Sequence, residues 1–216
     1  MDITHVIRGD DHISNTPKQF LIYQALRFPM PQFAHLPLIL GAEGGRLSKR
    51  TGATAISDYR KMGYLPCALV NYLWLLSWAP GKNREIMDVN EAVKLFDIKD
   101  VNKTAATFDL DKLNWINNQY LKKEDPQELT DEIIPLLLKE KHIQKDNFNR
   151  DYIVSLVKLF QGRLSTLNDF SECADFFFKE NIEINADAQK KFLNRDLSKE
   201  FRLFVERLDK IEKFDI

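Results

Sequence analysis

The first part of the chain carries the pattern of a strand, a helix and a second strand. A β-branched run predicts the first strand at residues 3–8, and an apolar run predicts the second at 33–40. Between them, Thr16-Pro17 has the form of a helix start, and Phe28-Pro29 is typical of a helix end. This helix is expected to run to about Arg27 and to have one apolar face: Phe20, Ile22, Tyr23, Ala25 and Leu26. The order predicts a right-handed βαβ unit with parallel strands, whose ligands bind at the carboxyl ends of the strands.

After Gly52, apolar residues recur every three or four positions, which is the spacing of amphipathic helices. Asp109 is a plausible N-cap, and Pro135 is expected to kink or split the helix that contains it. The predicted helices span residues 55–62, 66–78, 90–96, 109–121, 126–141, 152–160 and 201–211. The chain is therefore expected to be mainly α with a small α/β part.

Four aromatic residues in this helical region, Tyr72, Trp74, Trp78 and Trp115, could serve as stacking platforms for RNA bases. Leu69, Leu73 and Leu76 lie around them at helical spacing. Core packing is the interpretation that this spacing favours.

Composition narrows the class of protein. The chain has 216 residues, 31 Lys and Arg against 32 Asp and Glu, and a net charge of −1, so any nucleic-acid binding must come from local basic patches. Its longest mostly apolar stretch, residues 67–80, falls short of the roughly 20 residues that span a bilayer, so no membrane segment is predicted. The two cysteines form no Cys-x-x-Cys pair, which argues against a zinc knuckle or a disulfide framework and favours the reducing cytoplasm.

A basic loop follows the second predicted strand. Arg46, Ser48, Lys49 and Arg50 come directly after Gly44-Gly45, and their cations and hydroxyl group could bend around and neutralise a polyphosphate. A solvated basic turn is the alternative reading of such a short run. The chain contains neither a Walker A loop nor a Gly-x-Gly-x-x-Gly segment, so a nucleotide site here would be of another type.

The segment Arg8-Gly9-Asp10-Asp11-His12 lies at the end of the first predicted strand. Arg8 can bind a carboxylate through two hydrogen bonds, and Gly9 lets a ligand approach the backbone. Either aspartate can accept from ribose hydroxyls or an ammonium group, or can cap the next helix. No set of metal ligands with suitable spacing is visible around these residues, so no metal site is predicted.

Several segments together resemble bacterial glutamyl-tRNA synthetases, a family of class I aminoacyl-tRNA synthetases. They are HVIRGDDHISNTPKQ at 5–19, FAHLPL at 33–38 and LSKRTG at 47–52, followed by YLP at 64–66, NYL at 71–73, FDLDKL at 108–113 and WIN at 115–117. The likeness is strong over about the first 125 residues and looser beyond them. It implies the second half of a Rossmann-like catalytic domain at 1–40, the signature loop with a helical stem-contact domain at 41–125, and part of a helical anticodon-binding domain at 126–216.

The resemblance also implies roles for the residues near the nucleotide. The basic loop corresponds to the K-M-S-K-S signature of class I synthetases. Lys49 is then expected to contact the ATP phosphates, with Ser48, Arg46 and Arg50 beside it in the signature. Leu38 and Ile39 match residues that flank the adenine.

For the other substrates, Arg8 matches the family arginine that holds glutamate, and Asp11 and His12 fall where the family lines the amino-acid and ATP pocket. Arg163 matches a position near the third base of the anticodon. It could equally be an arginine that meets a helix dipole at a helix C-terminus.

The implied reaction is glutamate–tRNA ligation, in which ATP activates glutamate as an adenylate and the acyl group passes to tRNA(Glu). ATP and Mg²⁺ are the expected cofactors, with no protein cage for the metal, and a cytoplasmic monomer is expected. The family's other signature, H-I-G-H, appears nowhere in the chain, so the chain alone is expected not to form adenylate. The alternative function is a non-catalytic tRNA-binding module that uses the helical region alone.

Overall fold

Helices make up most of the computed structural model, which describes residues 2–45, 47, 55–81, 84–179 and 186–211. The strands are β1 His5–Gly9, β2 Gln32–Leu36, β3 Ile39–Leu40 and β4 Ala106–Thr107. The α-helices are α1 Thr16–Leu26, α2 Ile56–Lys61, α3 Pro66–Ser77, α4 Val89–Leu95, α5 Leu110–Leu121, α6 Pro126–Lys139, α7 Arg150–Phe160, α8 Asp169–Ala174, α9 Ala186–Phe192 and α10 Ser198–Leu208. Short 3₁₀ helices lie at Asp10–Asn15, Ile98–Asp100, Gln161–Arg163 and Asp175–Phe177. The mainly α fold with a small α/β part is confirmed.

The predicted strand–helix–strand unit is present. β1 and β2 are parallel neighbours, with Arg8 opposite His35 and Gly9 opposite Leu36. α1 connects them, begins at Thr16 with Pro17 in its first turn, and ends where Arg27 adopts a left-handed φ of 54°. Both strands therefore end at the same edge of the sheet, where the sequence predicts ligand binding.

The second predicted strand, 33–40, is not continuous, and the prediction of one strand there was wrong. β2 ends at Leu36, and β3 pairs with β4 in a separate parallel sheet, Ile39 opposite Ala106. Pro37 lies at the break. Proline has no N–H to donate to a strand ladder, so pairing stops there and the chain changes sheets.

The apolar face predicted for α1 is not covered by the described residues. No residue of α1 is buried, and Phe20, Ile22 and Leu26 are all exposed.

The core lies among α5, α6, α7 and α8. α3 packs on α5, and α6 packs on α7 and α8. The innermost side chains, none more than 1% exposed, are Leu113, Ile116, Leu121, Ile133, Leu137, Ile153, Val157, Leu164 and Phe170. Asp109 caps α5 as predicted, because its Oδ1 accepts from the N–H of Lys112 at 3.0 Å.

α6 is one unbroken helix with Pro135 inside it, so Pro135 does not split the helix, and the alternative of a kink stays a prediction. The proline is exposed, whereas Leu129, Ile133 and Leu137 form the buried stripe of the same helix on either side of it. Packing of that stripe outweighs the backbone hydrogen bond that proline cannot make.

Polar contacts join α5 to the link between α7 and α8. Asn117 is fully buried; its Oδ1 accepts from the N–H of Leu65 at 2.9 Å, and its Nδ2 donates to the carbonyl oxygen of Ser165 at 2.6 Å. Next to it, Asn118 Nδ2 donates to the carbonyl oxygen of Leu164 at 2.7 Å. These amides position the chain segment that follows α7.

The same link also contacts the turn after α2. The N–H of Leu167 donates to the carbonyl oxygen of Gly63 at 3.0 Å, and Asn168 Nδ2 donates to that of Lys61 at 2.9 Å. Gly63 has a φ of +83°, and a Cβ there would lie 2.8 Å from the backbone nitrogen of Asn168. Only glycine fits this close approach without displacement of the backbone.

Chain contacts divide the molecule into two units, residues 1–175 and 176–216. α9 and α10 belong to the second unit, and Phe201, Leu203, Phe204 and Val205 of α10 are exposed. The domain bounds predicted from the sequence, 1–40, 41–125 and 126–216, remain predictions. None of the described helices has the length and apolar content needed to cross a membrane.

Candidate functional site

Arg8 is held at the carboxyl end of β1 by groups on three elements. Its Nη2 donates to Thr16 Oγ1 of α1 at 2.8 Å and to the carbonyl oxygen of His12 at 3.4 Å. Its Nε donates to Nε2 of His35 on β2 at 3.3 Å, and the guanidinium lies 5.5 Å from the centre of the Phe33 ring. Among the described residues, no carboxylate pairs with Arg8, so its charge is available to an anionic ligand.

Thr16 and His35 are positioning residues that the sequence did not reveal. Thr16 Oγ1 lies 3.1 Å from His35 Nε2, so the two side chains that orient Arg8 also contact each other. Because Arg8 donates to Nε2 of His35, the imidazole proton is assigned to Nδ1. The signal that could have found His35 is register, since it lies opposite Arg8 once the two strands are paired in parallel.

Asp11 and Leu38 meet at Gly9. A Cβ at Gly9 would lie 2.6 Å from Asp11 Oδ1 and 3.6 Å from Leu38 Cδ2, so only a residue without a side chain leaves room for that carboxylate. Asp11 and His12 lie on the 3₁₀ helix after β1, and both are exposed. The structure thus brings Arg8, Asp11, His12 and Leu38 to one edge of the β1–β2 sheet.

Ile39 lies where the basic loop begins. The chain turns back at Gly41–Gly45, where Gly41 N–H donates to the carbonyl oxygen of Gly45 at 2.7 Å and Gly44 has a φ of +80°. The N–H of Leu47 then donates to the carbonyl oxygen of Ile39 at 3.2 Å. The loop residues that carry the predicted chemistry, Arg46, Ser48, Lys49 and Arg50, lie outside the described residues, and their roles remain predictions.

A cleft of about 580 Å³ opens at the same sheet edge. Asp10, His35 and Pro37 form one side, and the segment that carries Lys99 and Lys103 forms the other. Sequence reasoning missed these lysines, because nothing in their spacing relates them to a strand some sixty residues earlier. Their charges favour an anionic ligand in the cleft.

No group of three or more His, Cys, Asp or Glu side chains is arranged to hold a metal ion in the part of the chain that the structure describes. The two cysteines, Cys67 and Cys173, are both free thiols. Burial, as the largest cause, raises the pKa of both thiols, which keeps them protonated and weakens them as metal ligands or nucleophiles.

Arg163 lies in the helical region and not on the sheet that carries Arg8. It is exposed at the end of the 3₁₀ turn Gln161–Arg163, directly after α7. The turn is fixed to α5 because Asn118 Nδ2 donates to the carbonyl oxygen of Gly162 at 3.2 Å. The predicted anticodon residue is thus carried by a turn that α5 supports.

The aromatic residues of the helical region fall into two groups. Tyr72 and Trp78 are 2% and 3% exposed, and Trp74 packs against the cluster that contains Trp78, which confirms core packing for these three. Trp115 is 42% exposed on α5, so the core interpretation was wrong for it. The residues at helical spacing from Trp115 on α5 are polar, and such a pattern is typical of an exposed position. The core interpretation had grouped Trp115 with the other three aromatic residues.

Two tyrosines in this region, the buried Tyr72 and the half-buried Tyr120, have raised pKa values. Burial, as the largest cause, raises the pKa of Tyr72 and of Tyr120 to about 12 each. The Tyr120 hydroxyl lies 2.8 Å from both Asn71 Oδ1 and the carbonyl oxygen of Met87, either of which can accept its single proton, and the Tyr72 hydroxyl accepts from the N–H of Asp109 at 2.6 Å. Both hydroxyls therefore act as neutral structural groups at ordinary pH.

Two sequence families match the chain. The family described as tRNA synthetases class I (E and Q), catalytic domain, matches residues 1–115. A family described as an anticodon binding domain matches residues 98–216. Together the two matches cover the whole chain.

Similar proteins of known name are glutamate–tRNA ligases. Glutamate–tRNA ligase 1 of Caldanaerobacter subterraneus subsp. tengcongensis is 40% identical over 218 residues, which cover 99% of this chain and 45% of that protein. The corresponding ligase 1 of Syntrophus aciditrophicus is 43% identical over 208 residues, 96% of this chain and 43% of that protein. The chain thus spans less than half the length of these relatives.

A solved structure shares the fold over nearly all of the chain. The crystal structure of a glutamate tRNA ligase from Elizabethkingia meningosepticum, in complex with its amino acid, superposes with a TM-score of 0.82 and 30% sequence identity. The superposition covers 98% of this chain and 45% of that one.

Proposed function

Since the chain belongs to the family of class I tRNA synthetases for glutamate and glutamine, we propose that it forms the later part of the catalytic site, and the tRNA-binding helices, of a glutamate–tRNA ligase. The reaction has two steps. Glutamate attacks the α-phosphate of ATP to give glutamyl-adenylate and pyrophosphate, and the terminal ribose of tRNA(Glu) then takes the acyl group. The reducing cytoplasm, which suits two free thiols, is the proposed location.

The observation that carries the proposal is the fixed guanidinium of Arg8. Thr16, His35 and the carbonyl oxygen of His12 use its Nε and Nη2, so its Nη1 is left for a substrate carboxylate. A guanidinium held in place before binding loses little further conformational entropy when glutamate arrives. Arg8 is proposed to bind the glutamate carboxylate, with Asp11 and His12 beside it in the pocket for the amino acid and ATP.

ATP is proposed to bind along the same edge. Leu38 and Ile39 would flank the adenine, and Lys49, with Ser48, Arg46 and Arg50, would neutralise the phosphates. The support is that Leu47 is hydrogen-bonded to Ile39, so the basic segment begins at the end of β3. Catalysis of this kind depends on positioning and on cations near the leaving pyrophosphate. Mg²⁺ is proposed to enter with the nucleotide, held mainly by its phosphates.

The tRNA is proposed to lie along the helical region, with Arg163 near the anticodon. The exposure of Arg163 and the match to an anticodon binding domain support this role. At a net charge of −1 the chain has no general attraction for RNA, so local cations such as this one must provide it.

A chimera tests the proposal. This chain would replace the matched segment of the Caldanaerobacter ligase, and glutamate-dependent ATP–pyrophosphate exchange would be measured with tRNA(Glu) present. The chimera is expected to be active, and its Arg8→Ala variant is expected to raise the KM for glutamate at least tenfold, since a charge-assisted hydrogen-bond pair is worth about 1.5–3 kcal/mol. The 216-residue chain alone is expected to give no exchange, because its sequence lacks the H-I-G-H signature.

The matched control is Arg60→Ala, which removes an exposed arginine from α2 and should leave the KM unchanged. A folded chimera whose exchange does not depend on glutamate, or an Arg8→Ala variant with an unchanged KM, would contradict the proposal.

A further inference from the structure

His35 is a neighbour of Arg8 whose own charge can change near neutral pH. Its half-buried ring accepts from Arg8 Nε at 3.3 Å through Nε2, and the same nitrogen lies 3.1 Å from Thr16 Oγ1. A guanidinium can only donate, so this hydrogen bond exists only while Nε2 carries no proton. Imidazole groups ordinarily gain or lose a proton between about pH 5 and pH 8, whereas an arginine stays charged throughout.

A proton on Nε2 would place two donors against each other. The N–H of His35 and the Nε–H of Arg8 would face one another over 3.3 Å, with no acceptor between them. The protonated ring could then donate to Thr16 Oγ1, the oxygen that already accepts from Arg8 Nη2 at 2.8 Å. Arg8 would keep only the contacts of its Nη2, and the orientation of the guanidinium would be less firmly fixed.

Charged groups border His35 on several sides. The titratable and charged side chains of the described residues on the elements around it are Arg8 on β1, Asp10, Asp11 and His12 on the 3₁₀ helix, and Lys99 and Lys103 across the cleft. α1 borders the ring through Thr16, which carries no charge. Carboxylates and amines ordinarily titrate outside the interval from about pH 5.5 to pH 8, so the two imidazoles are the groups of this set that change charge within it.

We propose that His35 couples glutamate binding to pH, because only its neutral ring orients Arg8, so that affinity for glutamate falls when Nε2 takes up a proton. The inference rests on the proposed function, since it assumes that Arg8 binds the glutamate carboxylate. It adds a second requirement to the arginine itself, namely an acceptor without a proton at position 35. The carboxylates of free glutamate stay ionised above about pH 5.5, so the substrate does not supply this dependence.

Exchange kinetics of the chimera with the Caldanaerobacter ligase test the coupling. His35→Gln supplies an amide oxygen that can accept from Arg8 and does not titrate, whereas His35→Leu supplies no acceptor. At pH 8, the KM for glutamate of His35→Gln should lie within about twofold of the unchanged chimera. That of His35→Leu should be about fivefold higher, which corresponds to the loss of about one hydrogen bond.

The pH profile separates orientation of Arg8 from a merely structural role. Between pH 8 and about pH 5.5, the KM of the unchanged chimera should rise at least about threefold relative to that of His35→Gln, while the ratio of their kcat values stays within about twofold. Phosphate groups also titrate in this interval, and the ratio to the variant cancels any effect of pH on ATP.

Two further histidine variants identify the group that titrates. His5→Gln removes an exposed imidazole from the start of the same strand, and this matched control should keep the pH profile of the unchanged chimera. His12→Gln removes the other imidazole near Arg8. Whatever its KM at pH 8, the relative rise toward low pH should persist in it.

Heteronuclear NMR of the histidine rings in the 216-residue chain gives a measurement that does not depend on catalysis. At neutral pH, the His35 ring should carry its proton on Nδ1 and leave Nε2 as an acceptor. Loss of its signals in His35→Gln assigns them to this residue.

The possible outcomes separate the inference from the function beneath it. Parallel changes of KM with pH in the unchanged and His35→Gln chimeras would contradict the coupling. So would a flat profile in His12→Gln, a KM for His35→Gln as high as that for His35→Leu, or a proton on Nε2 at neutral pH. In each of these cases exchange still depends on glutamate, and the proposed function stands. Exchange that does not depend on glutamate contradicts the proposed function and the inference that rests on it.

Discussion

Asn117 stabilises the fold by pairing two backbone groups, the buried N–H of Leu65 and the part-buried carbonyl oxygen of Ser165. Replacement by alanine leaves the N–H of Leu65 and the carbonyl oxygen of Ser165 without their partner. A buried group left unpaired costs about 1–3 kcal/mol and a part-buried one costs less, so Asn117→Ala should lower the free energy of unfolding by about 2–4 kcal/mol. Urea denaturation followed by circular dichroism measures this loss.

The control is Gln119→Ala on the same helix. This side chain is half-buried, and its amide makes only a long contact with Asn118 Oδ1 at 3.4 Å, so the change should stay below about 0.5 kcal/mol. Equal stability of the two variants would show that Asn117 does not have the role described.

The raised pKa values of Tyr72 and Tyr120 predict how stability changes at alkaline pH. Their pKa values in the folded protein are about 12, above the ordinary tyrosine value of 10.0, so the folded state holds these protons more tightly than the unfolded state does. The resulting stability is fully present below pH 10 and is lost as the pH rises toward 12. Urea midpoints should therefore fall across that interval.

Tyrosine absorbance at 295 nm gives the independent check. Tyr120→Phe removes one hydroxyl with a raised pKa and should flatten the fall in stability. If all tyrosines titrated near pH 10 in the folded protein, the burial of these two side chains would be contradicted.

At the residue scale, sequence motifs identified the groups that bind ligands better than the groups that orient them. Arg8 and Asp11 stand out because a cation and a carboxylate follow a strand. His35 and Thr16 do not, because they become partners of Arg8 only when two strands pair and a helix returns beside them. The exposure of Trp115 could not be predicted for a similar reason, since spacing alone does not reveal which side of α5 the other helices cover.

At the element scale, α6 contains an interior proline that destabilises its backbone. Pro135 has no N–H for the carbonyl oxygen of Asp131, four residues earlier, and its ring crowds that same group. Pro135→Ala should raise the free energy of unfolding by about 1–3 kcal/mol, because an interior proline costs about 3 kcal/mol relative to alanine. The urea midpoint measures the gain.

Pro126→Ala is the matched control in the same helix. Pro126 occupies the first turn, where its missing N–H has no partner within the helix and its fixed φ suits the start. This variant should show no gain. A gain of the same size in both variants would mean that position within the helix does not decide the effect.

The helices of the second half follow from periodicity, because each must bury one stripe of apolar residues, as Leu129, Ile133 and Leu137 do in α6. The ends of the strands and the exposure of a helix face do not follow so directly from periodicity. A single proline at position 37 divides one apolar run between two sheets. α1 has the composition of a buried helix, yet what covers a helix depends on its neighbours and not on its own sequence.

At the scale of the whole molecule, burial is unevenly distributed. The strands β1 and β2 and the helix α1 contain no buried residue, whereas α5, α6 and α7 contain most of the fully buried side chains among the described residues. Regions with few buried contacts open at low free-energy cost. Amide hydrogen exchange followed by mass spectrometry should therefore be faster in residues 5–36 than in residues 110–160.

Slower or equal exchange in α1 and its two strands would contradict this distribution of stability. Repeating the measurement on the chimera with the Caldanaerobacter ligase is informative, because added protein that covers α1 should slow exchange there while leaving α5, α6 and α7 unchanged.

The close contacts around Gly63 should hold the two parts of the chain together after the backbone is cut. Lys122 and Lys123 are exposed between α5 and α6, and trypsin cleaves after lysine. The hydrogen bonds from Gly63, Lys61 and Asn117 to residues 165–168 each join a residue before the cleavage site to a residue after it. A nicked chain should therefore elute as one species from a sizing column, separating into two peptides only in denaturant, so the two pieces could be expressed apart and reassembled as a split protein.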